Sequence, residues 1–233
     1  MPILTEPTDA QLHETFNEQG IVILPGYLSG DVVREVDAYL QTLLADTEKG
    51  FGNPAYGETF DTWVKVWPIG GVEACERLWA EPRITEATRA VLGEDYTLDA
   101  QSAFCTPAGC GQAWHQDSWS SEPDQFVLNR IVFTRDYTPA QGELVYVPGS
   151  HRMGNLPPGG NFEPIEREQR VAPTAGTLVL MNSRCFHQVS KNQSDAPRIQ
   201  VNSRVRPSRA AADLCRYAIF RTGRWDFRQM CKW

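Results

Sequence analysis

His115-Gln116-Asp117, with His187 far downstream and Arg198 after it, sets out a metal site with a guanidinium close behind. Side chains at i and i+2 of a strand point to the same face. His115 and Asp117 can therefore grip one metal from one strand while Gln116 faces away. The third ligand has to come from another strand, and His187 is suited to it. Val179-Leu180-Met181 before it reads as a buried strand, and the chain returns through Ile199-Gln200-Val201 after it. Two imidazoles and one carboxylate on one side of a metal leave the opposite positions open. That facial arrangement suits non-heme Fe(II) and leaves room for dioxygen and a cosubstrate.

The elements that position these residues follow from chain texture. Helix, strand, helix is the expected order from about Asp9 to Asp46. Gln11 to Phe16 opens one helix, Ile21-Val22-Ile23-Leu24 is a short buried strand, and Ser29 or Asp31 caps the next helix. That helix buries a stripe of Val32, Val33, Val36, Leu40, Leu43 and Leu44. Residues 48–71 are irregular and rich in aromatics and glycine, so Tyr56, Phe60 and Trp63 are candidates for a lid over a pocket. Pro82 to Leu92 is a further helix, stopped by Gly93. Beyond it the pattern changes to short strands: Tyr96–Cys105, Gln112–Asp117, Phe126–Arg135, Glu143–Val147, Thr177–Met181, Cys185–Val189 and Arg198–Arg206. Residues 155–161 are a Pro/Gly surface loop, and 210–219 are expected to close the chain as a helix.

A chain of 233 residues is long enough for one full core. The expectation is a single domain, with a mainly helical part over 8–93, a β core over 94–207 and a C-terminal extension over 208–233. A net charge of −7 argues against a nucleic-acid binder, whose affinity rests on clustered Lys and Arg. It favours a small-molecule substrate. No apolar run reaches the length of a membrane span, and the start has no signal-peptide pattern, so a cytoplasmic protein is expected. The six cysteines are scattered without a CxxC and read as reduced thiols, with Cys105 and Cys110 the one pair that a turn brings near each other. Nothing in the sequence sets the oligomeric state.

Four ordered signatures resemble one family. Glu18 to Ser29 looks like the opening of the phytanoyl-CoA dioxygenase family, and Trp114-His115-Gln116-Asp117 like its metal motif. Gly142 to His151 resembles its strand-turn segment, and His187 with Arg198 completes the pattern. The resemblance runs from about Thr8 to Arg206. It implies a double-stranded β-helix (a jelly roll, cupin-like) with the N-terminal helices packed on one sheet. It also implies Fe(II), 2-oxoglutarate and O2 as cofactor and cosubstrates. The implied reaction is decarboxylation of 2-oxoglutarate to succinate, coupled to oxidation of an unactivated C–H bond. Related halogenases lack the carboxylate ligand, so the intact Asp117 favours hydroxylation. In this chain Val189 stands where some members have a serine that helps hold 2-oxoglutarate, leaving Ser190 or Gln200 to replace it. Cys105 or Thr106 stands roughly where some have a lysine.

2-Oxoglutarate chelates iron through its keto and C1 carboxylate oxygens, so the protein must hold the C5 carboxylate. Arg198 is the candidate, because a planar guanidinium makes two charge-assisted bonds to a carboxylate. Period two places Arg198, Gln200, Asn202 and Arg204 on one face, making Gln200 and Asn202 further cosubstrate contacts. Candidate substrate contacts are Trp119, Gln101, Phe104, Asn129 and Arg204, with Arg184 or Arg130 as further cations for an anionic substrate. No concentrated basic patch offers to hold coenzyme A phosphates. His13 and His151 are expected to be structural. Two other readings stay open: a cupin-like metal dioxygenase that does not use 2-oxoglutarate, and a metal-containing binding protein without catalysis.

Overall fold

A computed structural model describes residues 2–45, 64–118, 120 and 122–226. Two six-stranded antiparallel sheets face each other as a jelly roll, in the orders β1-β8-β5-β10-β3-β2 and β12-β11-β4-β9-β6-β7. The strands of the first sheet are β1 (Ile21–Leu24), β8 (Thr177–Asn182), β5 (Leu128–Phe133), β10 (Arg198–Pro207), β3 (Tyr96–Thr106) and β2 (Lys65–Pro68). The second sheet holds β12 (Gly223–Asp226), β11 (Tyr217–Phe220), β4 (Gln112–Gln116), β9 (His187–Val189), β6 (Leu144–Tyr146) and β7 (Gln169–Val171).

Among the described residues four α-helices, α1 (Asp9–Gln19), α2 (Asp31–Ala45), α3 (Glu73–Trp79) and α4 (Pro82–Leu92), precede β3. The start of α1 is fixed by a capping box, in which the Thr8 side chain accepts from the Gln11 backbone N–H and the Gln11 side chain accepts from Thr8. Its end is fixed by Gly20 at φ +72°, where a Cβ would overlap His151 and Cys185, so only glycine fits. Asp31 proves to be the first residue of α2, where its charge faces the positive end of the helix. Leu12, Phe16, Val36, Leu40, Leu78 and Ile84 from these helices pack on Leu128, Val132, Ile199 and Val201 of the first sheet. Each such side chain contributes roughly 1.5–3 kcal/mol through burial. The helices thus cover the outer face of that sheet and leave its inner face to the site.

A second core between the sheets joins Ile131, Phe133, Tyr137, Val179 and Met181 to Leu144 and Tyr146. The two cores explain why β10 is buried almost throughout. Ile199 and Val201 serve the helices, and the intervening polar residues face inward.

The structure corrects the sequence reading in three places. The expected terminal helix over 210–219 is reduced to one 3-10 turn at Leu214–Arg216: Tyr217–Phe220 and Gly223–Asp226 form a hairpin that extends the second sheet beside β4, and the alternating burial of β11 is the period-two pattern of a half-buried strand. The aromatic-rich stretch contains a strand, β2, paired with β3. Glu73–Trp79 forms the unexpected helix α3. Tyr56, Phe60 and Trp63 lie outside the described residues. Cys75, Cys105, Cys110 and Cys185 are buried thiols outside any disulfide, so Cys105 and Cys110 are not bridged.

Candidate metal centre

β4 and β9 lie side by side with His115 directly opposite His187. Both rings therefore point into the space between the sheets. Asp117 follows the last residue of β4, and its backbone N–H donates to Ser183 O at 2.8 Å, which fixes the side chain toward the histidines. The donor atoms of His115, Asp117 and His187 all lie within 4.8 Å of one another. His115 Nε2 is 3.6 Å from Asp117 Oδ1, and His187 Nε2 is 3.6 Å from Oδ2. Donors bound at about 2.1 Å and at right angles around one cation sit roughly 3 Å apart, so the gaps are of the right order. Within the described residues, no other group of three or more His, Cys, Asp or Glu side chains is placed to hold a metal.

The rest of each ring is held by the backbone. His115 Nδ1 donates to Ala113 O at 2.8 Å and His187 Nδ1 donates to Cys185 O at 3.0 Å. This fixes the tautomer, so that both Nε2 lone pairs face the carboxylate. Phe220 of β11 stacks on His115, with ring centroids 4.9 Å apart and planes at 14°. Burial pushes the His115 imidazole down to about 3, with His187 adding to the fall and Asp117 opposing it. Burial also lowers His187. For Asp117, burial works to raise the carboxyl, but Arg204 and the histidines outweigh it and hold it at about 2. With both imidazoles neutral, Arg204 is the formal cation that keeps Asp117 ionised.

The linkage has a definite sign. A histidine whose folded pKa lies below its ordinary 6.5 contributes full stability above 6.5, and that contribution is lost as pH falls toward 3. At about pH 7.5 both ligands are already deprotonated, so metal uptake is expected to release no protons. Calorimetry in two buffers of different ionisation enthalpy should give the same binding enthalpy. A buffer-dependent enthalpy at that pH would contradict this protonation state.

The cavity in front of the three donors runs along β10. Arg198, Gln200, Asn202 and Arg204 all line it, with Phe104, Gln112, Ile131, Phe133, Leu144 and Val189. Arg198 lies at the end away from Asp117. It is 1% exposed, yet its Nε and Nη1 have no hydrogen-bond partner. Its guanidinium sits over the rings of Phe133 and Tyr137, at 5.0 and 6.0 Å from their centroids, and burial pushes its pKa down to about 10. Buried N–H donors without an acceptor are costly. Their place in a pocket beside three metal-binding side chains fits a ligand that is anionic at one end and chelating at the other. The donor set fits Fe(II), and Arg198 fits the far carboxylate of 2-oxoglutarate.

The other expected contacts divide. Phe104 faces the cavity opposite Gln200. Gln101 does not: it pairs with Ser203 on the helix-facing side, because residues three apart on a strand point to opposite faces. Asn129 and Arg204 reach Asp117 itself, Asn129 Nδ2 at 2.7 Å from Oδ2 and Arg204 Nη2 at 3.0 Å from Oδ1. Their first task is to hold a ligand. Arg130 points away, to Ser203 and Trp79, and Arg184 donates to Glu122 O. Ser190 Oγ accepts the Glu143 N–H and does not line the cavity. Of the two expected replacements for a serine at 189, Gln200 is the one in place. Gln112, directly across from Val189, lines the same end and is a residue the sequence reading missed. A register shift between Gln112 and His115 brings both to the cavity against the period-two rule. Trp119 lies outside the described residues. His13 Nδ1 donates to Ala90 O at 3.2 Å and His151 Nε2 donates to Asn17 O at 3.2 Å, and neither lines the cavity, in keeping with structural roles.

The chain can now be set beside known proteins. The ectoine dioxygenase of Sphingopyxis alaskensis is 24% identical over 225 residues, covering 82% of this chain and 74% of that one. The epimerase SnoN, solved with Fe3+, alpha ketoglutarate and nogalamycin RO, superposes with a TM-score of 0.69 at 20% identity, over 91% of this chain and 85% of SnoN. HygX from Streptomyces hygroscopicus, solved with nickel, 2-oxoglutarate and hygromycin B, also gives 0.69, at 16% identity over 89% of this chain and 94% of HygX. The sequence pattern of the phytanoyl-CoA dioxygenase family matches residues 16–200. The chain belongs to that family, and it is a non-heme iron oxygenase dependent on 2-oxoglutarate.

Proposed function

We propose that the protein hydroxylates a small-molecule metabolite at an unactivated C–H bond, with release of succinate and CO2. In this reading His115, Asp117 and His187 are the iron ligands, and Arg198 takes the C5 carboxylate of 2-oxoglutarate. The observation that carries it is the fully buried Arg198, with Nε and Nη1 unpartnered, in the same cavity as the three donors. Gln200 offers a side-chain amide to the middle of the cosubstrate, and Asn202 offers one nearer the metal. Phe133, Leu144 and Val189 exclude water from the carboxylate end and so strengthen the Arg198 ion pair. Iron bound with 2-oxoglutarate and dioxygen supplies the oxidising power. The residues of this chain fix the geometry and keep side reactions out. Asp117 fills the ligand position that a halide would need, which favours oxygenation.

In this reading the substrate approaches the metal away from Arg198, whose guanidinium is buried over the rings of Phe133 and Tyr137. Of the expected substrate contacts, Phe104 is the cavity-wall residue, opposite Gln200, that remains available for it. Four buried free thiols fit a reducing, cytoplasmic setting. Among the described residues no helix is long and apolar enough to cross a membrane. A single domain over 1–233 is supported by the way the C-terminal hairpin completes the second sheet. The test is incubation with Fe(II), ascorbate and 2-oxoglutarate across a metabolite set, followed by mass spectrometry. One metabolite should gain one oxygen atom in step with succinate. Consumption of 2-oxoglutarate that no metabolite stimulates, or oxidation of a metabolite without succinate, would contradict the proposal.

A further inference from the structure

Both carboxylate oxygens of Asp117 are engaged by side chains of the facing sheet. Asn129 Nδ2 donates to Oδ2 at 2.7 Å, and Arg204 Nη2 donates to Oδ1 at 3.0 Å. Asn129 and Arg204 are direct cross-strand partners on β5 and β10, so they approach the carboxylate side by side from the opposite sheet. All three side chains are more than nine-tenths buried. Immediately after Arg204 the register of β10 against β3 shifts, an irregularity of the kind that re-aims a side chain near a site. On the β4 and β9 side the carboxylate faces His115 and His187, each 3.6 Å away. The two braces differ in charge, since Asn129 orients the ligand while Arg204 orients it and neutralises it.

We propose that Arg204 is a positioning residue that acts as the stand-in cation of the metal-free centre. It holds Asp117 toward the histidines and balances its charge until a metal takes over that balance. The inference rests on the ligand assignment proposed above. It has two consequences. Metal loading becomes an exchange of one counter-charge for another, so a buried carboxylate is never left alone at the centre of the fold. With a metal bound, Arg204 and Asn129 would share the two carboxylate oxygens with it and would keep Asp117 aimed at the histidines.

The direction of the effect on affinity follows from which contribution is larger. Replacing Arg204 by a neutral residue removes one orienting hydrogen bond, but Asn129 retains the other oxygen. The same change removes a positive charge a few ångströms from an incoming dication, and that contribution dominates. Arg204→Gln should therefore bind Co(II), used as the probe metal, about tenfold or more tighter than the wild type. Its metal-free form should melt earlier, and Co(II) should raise its melting temperature by more than it raises that of the wild type. Arg204→Lys keeps the charge and should restore wild-type behaviour on both measures. Asn129→Ala removes orientation without removing charge and should weaken Co(II) binding.

Chelator competition against the Co(II)-loaded proteins, read from the cobalt visible bands, gives these affinities even where a metal-free form is only marginally folded. Arg204→Gln binding Co(II) no tighter than the wild type, with Arg204→Lys indistinguishable from it, would overturn the stand-in role and leave the ligand assignment intact. A wild-type chain that shows no Co(II) bands at all would overturn the ligand assignment and the stand-in role together.

Discussion

Arg198→Ala is expected to raise the 2-oxoglutarate concentration needed for half-maximal turnover by about a hundredfold or more, while changing metal affinity only slightly. The size follows from the bond type. A guanidinium facing a desolvated carboxylate makes charge-assisted hydrogen bonds worth about 1.5–3 kcal/mol each, and truncation removes two. The metal ligands stand at the other end of the cavity and make no hydrogen bond to Arg198, so they keep their geometry. Arg198→Met separates this effect from misfolding. It keeps most of the side-chain volume and removes a buried charge whose Nε and Nη1 have no partner, so the metal-free fold should be at least as stable as the wild type. Titration of succinate formation against 2-oxoglutarate reads the loss. Near-normal activity in both variants would favour a metal dioxygenase that does without 2-oxoglutarate.

Removal of any one of the three metal-binding side chains is the other large expected effect. His115→Ala, Asp117→Ala and His187→Ala should each reduce turnover by about a thousandfold or more, because no described His, Cys, Asp or Glu is placed to substitute. The three should differ in what else they disturb. His187→Ala opens space in front of Asp117, whereas His115→Ala also removes the ring that Phe220 stacks on and should loosen the β11–β12 hairpin. Asp117→Ala leaves Arg204 and Asn129, both buried, without their shared acceptor, so it should be the most destabilising in the metal-free protein. Metal content by atomic spectroscopy, turnover and thermal unfolding separate the three. Turnover within tenfold of the wild type in any of these variants would remove that residue from the ligand set.

The inner rows of the site were legible because they follow strand geometry. His115 and Asp117 share a face by i and i+2 spacing, and Arg198, Gln200, Asn202 and Arg204 alternate with Ile199, Val201, Ser203 and Val205. The alternation survives in the structure because the helices take one face of β10 and the cavity takes the other. What sequence could not supply was which strands lie together. Asn129 reaches Asp117 from twelve residues away in the chain, and Arg204, its partner across β5 and β10, meets the same carboxylate from the facing sheet, so the sequence alone offers both as substrate contacts. Gln101 failed for a local reason, since it lies an odd number of residues from Phe104 on one regular strand. Gln112 was hidden by the register shift that breaks the same rule in β4. Residues 210–219 read as a terminal helix in the sequence, although Tyr217 to Phe220 alternates in burial. Docking beside β4 decides the form of that strand.

The central claim is that one cavity holds a metal at the His115, Asp117 and His187 end and a dicarboxylate anchored on Arg198. The most direct measurement is an anaerobic absorbance titration of the Fe(II)-loaded protein with 2-oxoglutarate. The account predicts a charge-transfer band that grows to saturation with 2-oxoglutarate and is absent, or requires far higher concentrations, in Arg198→Met. A saturable 2-oxoglutarate-binding signal without such a band, or a band of equal affinity in Arg198→Met, would contradict it.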